Sequence, residues 1–225
     1  MALSPAAPTL TQEAYERLEE MIITLELAPG EAVSEAILSN RLGIGHTPIR
    51  EALHRLARQY LVQIIPRRGV VVTSVDVRLQ FEVLETRREI DRLLARTSAL
   101  RAGAQERAQL KSLIAATNAA IKAKDIRKFL RMDADLNQWL SRTAQNSVAV
   151  DMAAMLHAVS RRFWFYHLAG QRDFTQTAAL HVELAAAIAS GDGEAAAAAS
   201  DRLIDHLVAF ASSTLPGARQ VTTTA

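Results

Sequence analysis

From Val77 to Ser213 the chain contains no proline, and glycine occurs only at Gly103, Gly170, Gly191 and Gly193. A stretch this long, free of the residue that breaks helices and lacking any cluster of Val, Ile and Thr, can hardly be anything but helices that end near the glycines. Six are expected, at roughly 77–101, 105–123, 125–143, 147–168, 174–190 and 193–213. Each needs a partner for its apolar stripe, and the economical solution is an antiparallel helical bundle. The alanine-rich run from Ala195 to Ala199 favours helix and permits close helix contact. Beyond it, Pro216 to Ala225 is Thr-rich with nothing to bury, and reads as a disordered tail.

The text before residue 75 differs. Tyr15, Leu18, Met21, Ile22 and Leu25 mark one buried face of a first helix over Gln12 to Leu27, ended by Pro29-Gly30. Ser34 opens a short second helix containing Ile37, Leu38 and Leu42 and closed by Gly43. Thr47-Pro48 reads as an N-cap followed by proline at the first helical position, with Ile49, Leu53, Leu56 and Tyr60 continuing on one face. Arg50, His54 and Arg58 recur at i, i+4 and i+8 on another face, turned to solvent. Two β-branched runs, Leu61 to Ile65 and Val70 to Thr73, flank the basic turn Pro66-Arg67-Arg68-Gly69 and predict a hairpin. The fold class is therefore mainly α, with a winged helix-turn-helix at 9–75 and an all-helical domain at 76–215.

Charge supports the same reading of the first part. The whole chain carries +2, but between Arg41 and Gly69 six arginines face a single acid, Glu51. Large apolar residues are not interleaved with them, so the patch suits a phosphate backbone better than a membrane. The second helix of such a pair enters the major groove of B-DNA, and the basic turn of the hairpin rides on the adjacent backbone or minor groove. With no cysteine, thiolate metal sites, disulfides and cysteine nucleophiles are excluded. No leader-like N-terminus and no run of about 18 apolar residues is seen, so a cytoplasmic location is expected.

The run from Leu27 to Glu35, then Leu42-Gly43-Ile44-Gly45-His46-Thr47-Pro48-Ile49-Arg50-Glu51-Ala52-Leu53, then Arg67-Arg68-Gly69, resembles the DNA-binding domain of the GntR family of bacterial transcription regulators. The resemblance implies DNA contacts for His46, Thr47 and Arg50, and through the wing for Arg67, Arg68 and Gly69. His46 stands where the family usually has arginine, which implies an altered operator.

The helical remainder resembles the FCD effector domain of the FadR subgroup. Arg87 and Asp91 match its first-helix arginine and acid, Asp133 and Asn137 match its Asp-x-x-x-His segment with Asn for His, and His181 and His206 match its later histidines. The resemblance implies an effector site at Arg87, Asp133, Asn137 and His181 for a small organic acid. It also implies a divalent metal, Zn²⁺, Ni²⁺ or Mn²⁺, held by Asp133, Asn137, His181 and His206. Asn is a weak neutral ligand, and the His181 to His206 separation is about one turn longer than usual, so this set would hold zinc less firmly than three histidines and an aspartate. The other reading is a polar cavity in which Asp133, Asn137 and His181 bond a ligand or water directly.

Along the fourth bundle helix, Met152, Met155, Leu156, Val159, Phe163 and Tyr166 form the expected core stripe, while His157, Arg161, Trp164 and Leu168 make a separate arc, with Trp164 placed away from the core. Taken together, the sequence predicts a homodimeric, ligand-responsive repressor-type regulator binding a palindromic operator, not an enzyme. A helical metal-dependent hydrolase using the Asp/His cluster is the alternative, against which stands the lack of any nucleophile elbow, His-Glu-x-x-His or phosphate loop. A constitutive binder with a structural bundle is disfavoured by inward-facing charge.

Overall fold

The computed structural model describes residues 9–67, 69–168 and 174–215. Arg68 and the expected tail at 216–225 lie outside the described residues. The described residues form two compact units, one within 9–75 together with Arg161–Tyr166, the other within 76–160 together with those of 167–215.

The first unit contains α1 (Leu10–Ile23), β1 (Ala32–Val33), α2 (Glu35–Leu42), α3 (His46–Arg58), β2 (Val62–Ile65) and β3 (Gly69–Val72). Its core is α1 against α3: Ala14, Leu18 and Ile22 meet the apolar side of α3, where Ile49, Ala52, Leu53 and Leu56 are buried. Above the ring of Tyr15 lies the Arg55 guanidinium, 3.6 Å from its centroid.

Several local expectations are corrected. The first helix ends at Ile23 rather than running to Leu27: Leu25 adopts φ 60, and the Leu27 amide donates to Met21 O at 3.0 Å, which turns Leu27 into the core. The N-cap of α3 is Gly45 rather than Thr47, because Gly43 (φ 67) closes α2, Ile44 is buried, and the chain enters the helix early. Pro48 still falls in the first turn, where its missing N–H costs nothing. Tyr60 does not continue the buried face; it lies past the helix end with φ 58 and is 51% exposed.

The strands form one antiparallel sheet in the order β1-β3-β2, with Ala32 opposite Val71 and Ile65 opposite Gly69. The two-residue β1 carries no alternation from which it could have been read. Gly69 adopts φ +96, and a Cβ there would stand 2.9 Å from Val33 O. That close approach of β3 to β1 gives this glycine a backbone role in the wing. Within this unit, Arg162 donates to Thr73 O at 3.0 Å and Thr73 Oγ1 at 2.9 Å, and Arg161 pairs with Glu19 at 3.1 Å.

The second unit contains α4 (Val77–Arg101), α5 (Ala104–Ala123), α6 (Ile126–Thr143), most of α7 (Ser147–Leu168), α8 (Thr175–Ser190) and α9 (Gly193–Ser213). Their bounds fall within a residue of those expected. α4 lies along α9, whose Ala196, Ala197, Ala199 and Ser200 are small enough to bring the axes close, and α8 packs on α9 and α5. Arg88 and Arg92 of α4 bond Asp201 and Asp205 of α9, and Arg96 bonds Glu194. Arg107 donates to Ala99 O, Ala102 O and Ala189 O, so one guanidinium serves the carbonyl ends of α4 and α8. The α7 stripe holds at Leu156, Val159 and Phe163, which are buried, but is rotated in part: Met152 and Tyr166 are 50% and 46% exposed, whereas His157, Trp164 and Leu168 are buried.

Gly69 and Gly30 separate backbone strain from collision. Gly30 has φ +84 with open space where a Cβ would be, so Gly30→Ala is expected to cost about 1–2 kcal/mol from the left-handed conformation alone. Gly69→Ala adds the clash with Val33 O and should lower the urea midpoint further. Equal midpoints for the two variants would contradict the close approach.

Candidate functional site

The exposed side of α3 is built by its buried side. With Ile49, Ala52, Leu53 and Leu56 facing α1, the helix turn leaves His46, Thr47, Arg50, His54 and Arg58 in solvent. Gly45 supplies no side-chain cap, so the first amides of α3 remain available to an acceptor, and an anion such as phosphate fits there. On the wing, Arg67 is exposed in a left-handed conformation, φ 62.

Arg50 already has a partner that sequence reasoning missed. Its Nε and Nη2 donate to the Glu35 carboxylate at 3.0 and 2.9 Å. The Arg50 hydrogen bonds hold the Glu35 carboxyl below its usual pKa against a small burial effect, with the nearby His46 and His54 adding to the shift. Glu35 lies in the first turn of α2, and only the tertiary packing of α2 on α3 brings it to Arg50.

In the second unit the expected ligand residues fall into two clusters. One joins four of them through a fifth, Thr177. Asn137 Nδ2 donates to Asp133 Oδ1 at 3.3 Å, His181 Nε2 lies 2.9 Å from the same oxygen, His181 Nδ1 lies 2.8 Å from Thr177 O, and His206 Nε2 lies 2.8 Å from Thr177 Oγ1. Phe129 meets the His181 ring edge-on, centroids 5.3 Å apart. Leu113, Thr117, Phe129, Asp133 and His181 line a cavity of only about 10 Å³. Thr177 was missed because it stands one helical turn before His181, where a threonine has no distinctive signal.

Arg87 belongs to the other cluster. It is buried and pairs with Asp91 at 2.9 Å, while His157 Nε2 lies 2.8 Å from the other oxygen of Asp91. Burial alone would raise the Asp91 pKa, but the charges of Arg87 and His157 and their hydrogen bonds outweigh it and bring it from 3.8 to about 2. Arg87, expected at the effector site, is thus already paired with an acid of its own helix.

His181 sits between two acceptors, a carbonyl and a carboxylate. The Thr177 carbonyl fixes a proton on Nδ1, so Nε2 faces Asp133 either protonated or toward a cation. His206, however, turns its Nε2 to Thr177, and among the described residues no group of three or more His, Asp or Glu is gathered as a metal would need. As arranged, the side chains fit a closed metal site only in part.

A recognition helix with a bare N-terminus, a basic wing and a helical bundle with buried polar clusters are matched by two family models. Residues 10–72 match the bacterial regulatory proteins of the gntR family, and residues 82–206 match the FCD domain. The chain belongs to the GntR family of transcription regulators and carries an FCD domain. It is 27% identical over 193 residues to the HTH-type transcriptional repressor RspR of Escherichia coli K12, covering 86% of this chain and 84% of that one. A Streptomyces ambofaciens HTH-type regulator in an unstable DNA locus is 46% identical over 68 residues, 30% of this chain and 29% of its own. Among solved structures, E. coli McbR/YncC shares the fold with a TM-score of 0.79 at 19% identity, over 92% of this chain and 98% of that one. Homologues of this GntR-family chain are transcription regulators rather than enzymes. Among the described residues no helix is long and apolar enough to cross a membrane.

Removing the Asp91 carboxylate leaves Arg87 and His157 without their anion, so Asp91→Asn should cost about 3–5 kcal/mol in chemical denaturation. Stability should also fall at both acid steps. Burial, then the neighbouring charge of His181, lowers the His206 pKa, and burial lowers that of His167. Their unfolded forms take up protons first, so stability declines as pH falls below about 6.5. The Asp91 contribution, complete above 3.8, is lost as pH falls toward about 2. Melting temperature measured from pH 8 downward tests both; an unchanged melting temperature from pH 7 to 5 would contradict the histidine burial.

Proposed function

We propose that the chain is a cytoplasmic, ligand-responsive regulator that binds a palindromic operator as a homodimer, its residues 9–75 holding DNA and residues 76–215 holding effector and partner subunit. The observation that carries the DNA reading is the solvent face of α3, where His46, Thr47 and Arg50 surround an uncapped helix N-terminus. One winged helix covers one half-site, and two-fold pairing doubles the contact. Leu93 and Leu100, two turns apart on α4, and Val148 and Met152, one turn apart on α7, are exposed apolar residues suited to burial against a second subunit.

The effector reading rests on the Asn137–Asp133–His181–Thr177–His206 network. A small carboxylate docking there would take hydrogen bonds from His181 and Asn137. The cavity is too small for such a ligand without movement of the surrounding side chains, which supplies a route from ligand to conformation. A divalent ion is the second reading, favoured by His181 Nε2 facing a carboxylate. Zn²⁺, Ni²⁺ or Mn²⁺ would take Nε2 and Asp133, and Asn137→His would strengthen it.

Arg50→Ala should reduce operator affinity while leaving the melting temperature unchanged; a bidentate base contact is worth about 1–3 kcal/mol per subunit. Glu35→Gln should raise affinity for random DNA by freeing that guanidinium. Fluorescence anisotropy on operator and random duplex measures both, and unchanged operator affinity of Arg50→Ala would remove α3 as the reading helix.

For the ligand site, small organic acids are screened by thermal shift with and without chelator, then tested on the DNA complex. A shift that survives chelator and is lost in His181→Ala supports direct recognition. One abolished by chelator and enlarged in Asn137→His supports the metal. No shift from any acid or ion, together with DNA binding indifferent to all of them, overturns ligand control.

A further inference from the structure

We propose that the turn between α5 and α6 is a second DNA-binding surface, engaging the phosphate backbone without regard to sequence. From Arg107 to Met132 the chain holds seven lysines and arginines and one acid, Asp125. The Asp125 carboxylate is spent on capping α6, where it accepts from the Lys128 amide at 2.9 Å. Lys122, Lys124, Arg127 and Arg131 are all exposed, and among the described residues no acidic side chain lies within ion-pair distance of any of them.

The contrast within the same unit is sharp. Arg88, Arg92 and Arg96 on α4 carry the same charge, and each is matched by Asp201, Asp205 or Glu194 on α9. At the α5–α6 turn no such acid is found among the described residues. The backbone adds a second observation. Lys124 occupies the left-handed C-cap position, φ 52, which glycine takes without strain. Its ammonium makes no hydrogen bond among the described residues that would repay that strain. A lysine is kept at the tip of a basic cluster where the turn itself asks for glycine.

Close-set like charges without counter-charges gain when a polyanion replaces their mobile ions. Duplex DNA is the polyanion this chain is built to hold, and flexible lysine and arginine need no base register to meet a phosphate. A bilayer would call for large apolar residues among the cations, but Ala123 is the one exposed apolar residue between Lys122 and Arg131. The inference rests on DNA binding by α3 but concerns a different surface.

The test is the salt dependence of binding to an operator flanked by random sequence, for wild type and for Lys122→Gln, Lys124→Gln, Arg127→Gln and Arg131→Gln combined. The slope of log affinity against log salt should flatten by about 0.9 for each phosphate that is no longer neutralised. The preference for operator over random DNA should rise, because the removed cations read no bases. A slope equal to that of wild type, with the same melting temperature, overturns the proposal while leaving α3 in place. Wild-type protein that binds no DNA overturns the functional reading as well. If the combined variant melts early, Lys122→Gln with Arg131→Gln, away from the strained turn and the Asp125 cap, carries the same comparison. Lys122→Arg with Lys124→Arg should keep the wild-type slope; a flattened slope there would also overturn a purely electrostatic interaction.

Discussion

The burial of Ile49, Ala52, Leu53 and Leu56 against α1 governs what this protein can present to DNA. Each large side chain among them loses about 1.5–3 kcal/mol if exposed, so the helix cannot rotate about its axis without a cost comparable to the stability of a domain. Since successive residues advance by a fixed angle, choosing the buried face also chooses His46, Thr47, Arg50, His54 and Arg58 as the solvent face. The wing is fixed by the same logic at backbone level. β3 can approach β1 only because Gly69 has no Cβ to meet Val33 O.

In the helical unit, charge is buried where a purely structural bundle would have buried hydrocarbon. Desolvation pushes the Asp91 pKa upward, yet Arg87 and His157 reverse the sign, so the carboxylate stays ionised inside the bundle. Such a triad gives little net stability compared with apolar packing. Its structural consequence is clearer: a guanidinium committed to Asp91 is not a free anchor for an incoming carboxylate, which is why the proposed ligand site centres instead on the cluster in which His181 joins Asp133 to Thr177. The threonine matters there because its carbonyl sets the His181 tautomer while its hydroxyl meets His206.

The helices of the second unit were legible because proline is absent, glycines sit at the ends, and long amphipathic segments carry a strong periodic signal. What periodicity does not carry is rotation about a nearly all-apolar helix. On α7, small residues such as Ala149, Ala153 and Ala158 took the buried face, so Met152 and Tyr166 went outward and Trp164 inward. The α3 cap was misread for a related reason: Thr47-Pro48 is a good start signal, but Gly43 and Gly45 let the chain turn sooner. At the candidate sites, the residue types were visible and the partnerships were not. Glu35 on Arg50, Asp91 with His157, and Thr177 between two histidines are tertiary contacts, separated in sequence by 15, 66 and, for Thr177 with His206, 29 residues.

Arginine shows how far environment, rather than residue type, decides a role in this chain. Arg107 is bound to three carbonyls at helix ends, and its charge is used up in holding α4 and α8. Arg88 and Arg92 are matched by acids on the facing helix and fix the register of α4 on α9. Arg50 lies between these cases and the cations of the α5–α6 turn: it is aligned by Glu35 yet exposed, and an exposed ion pair is weak because water and salt screen it. If Arg50 reads a base as proposed, exchange of Glu35 for a bidentate base contact would be favourable, whereas exchange for a single solvated phosphate would be closer to even. On that reading, holding the guanidinium in this way would cost little at the operator and remove much of the gain elsewhere, so Glu35 would sharpen discrimination without touching DNA.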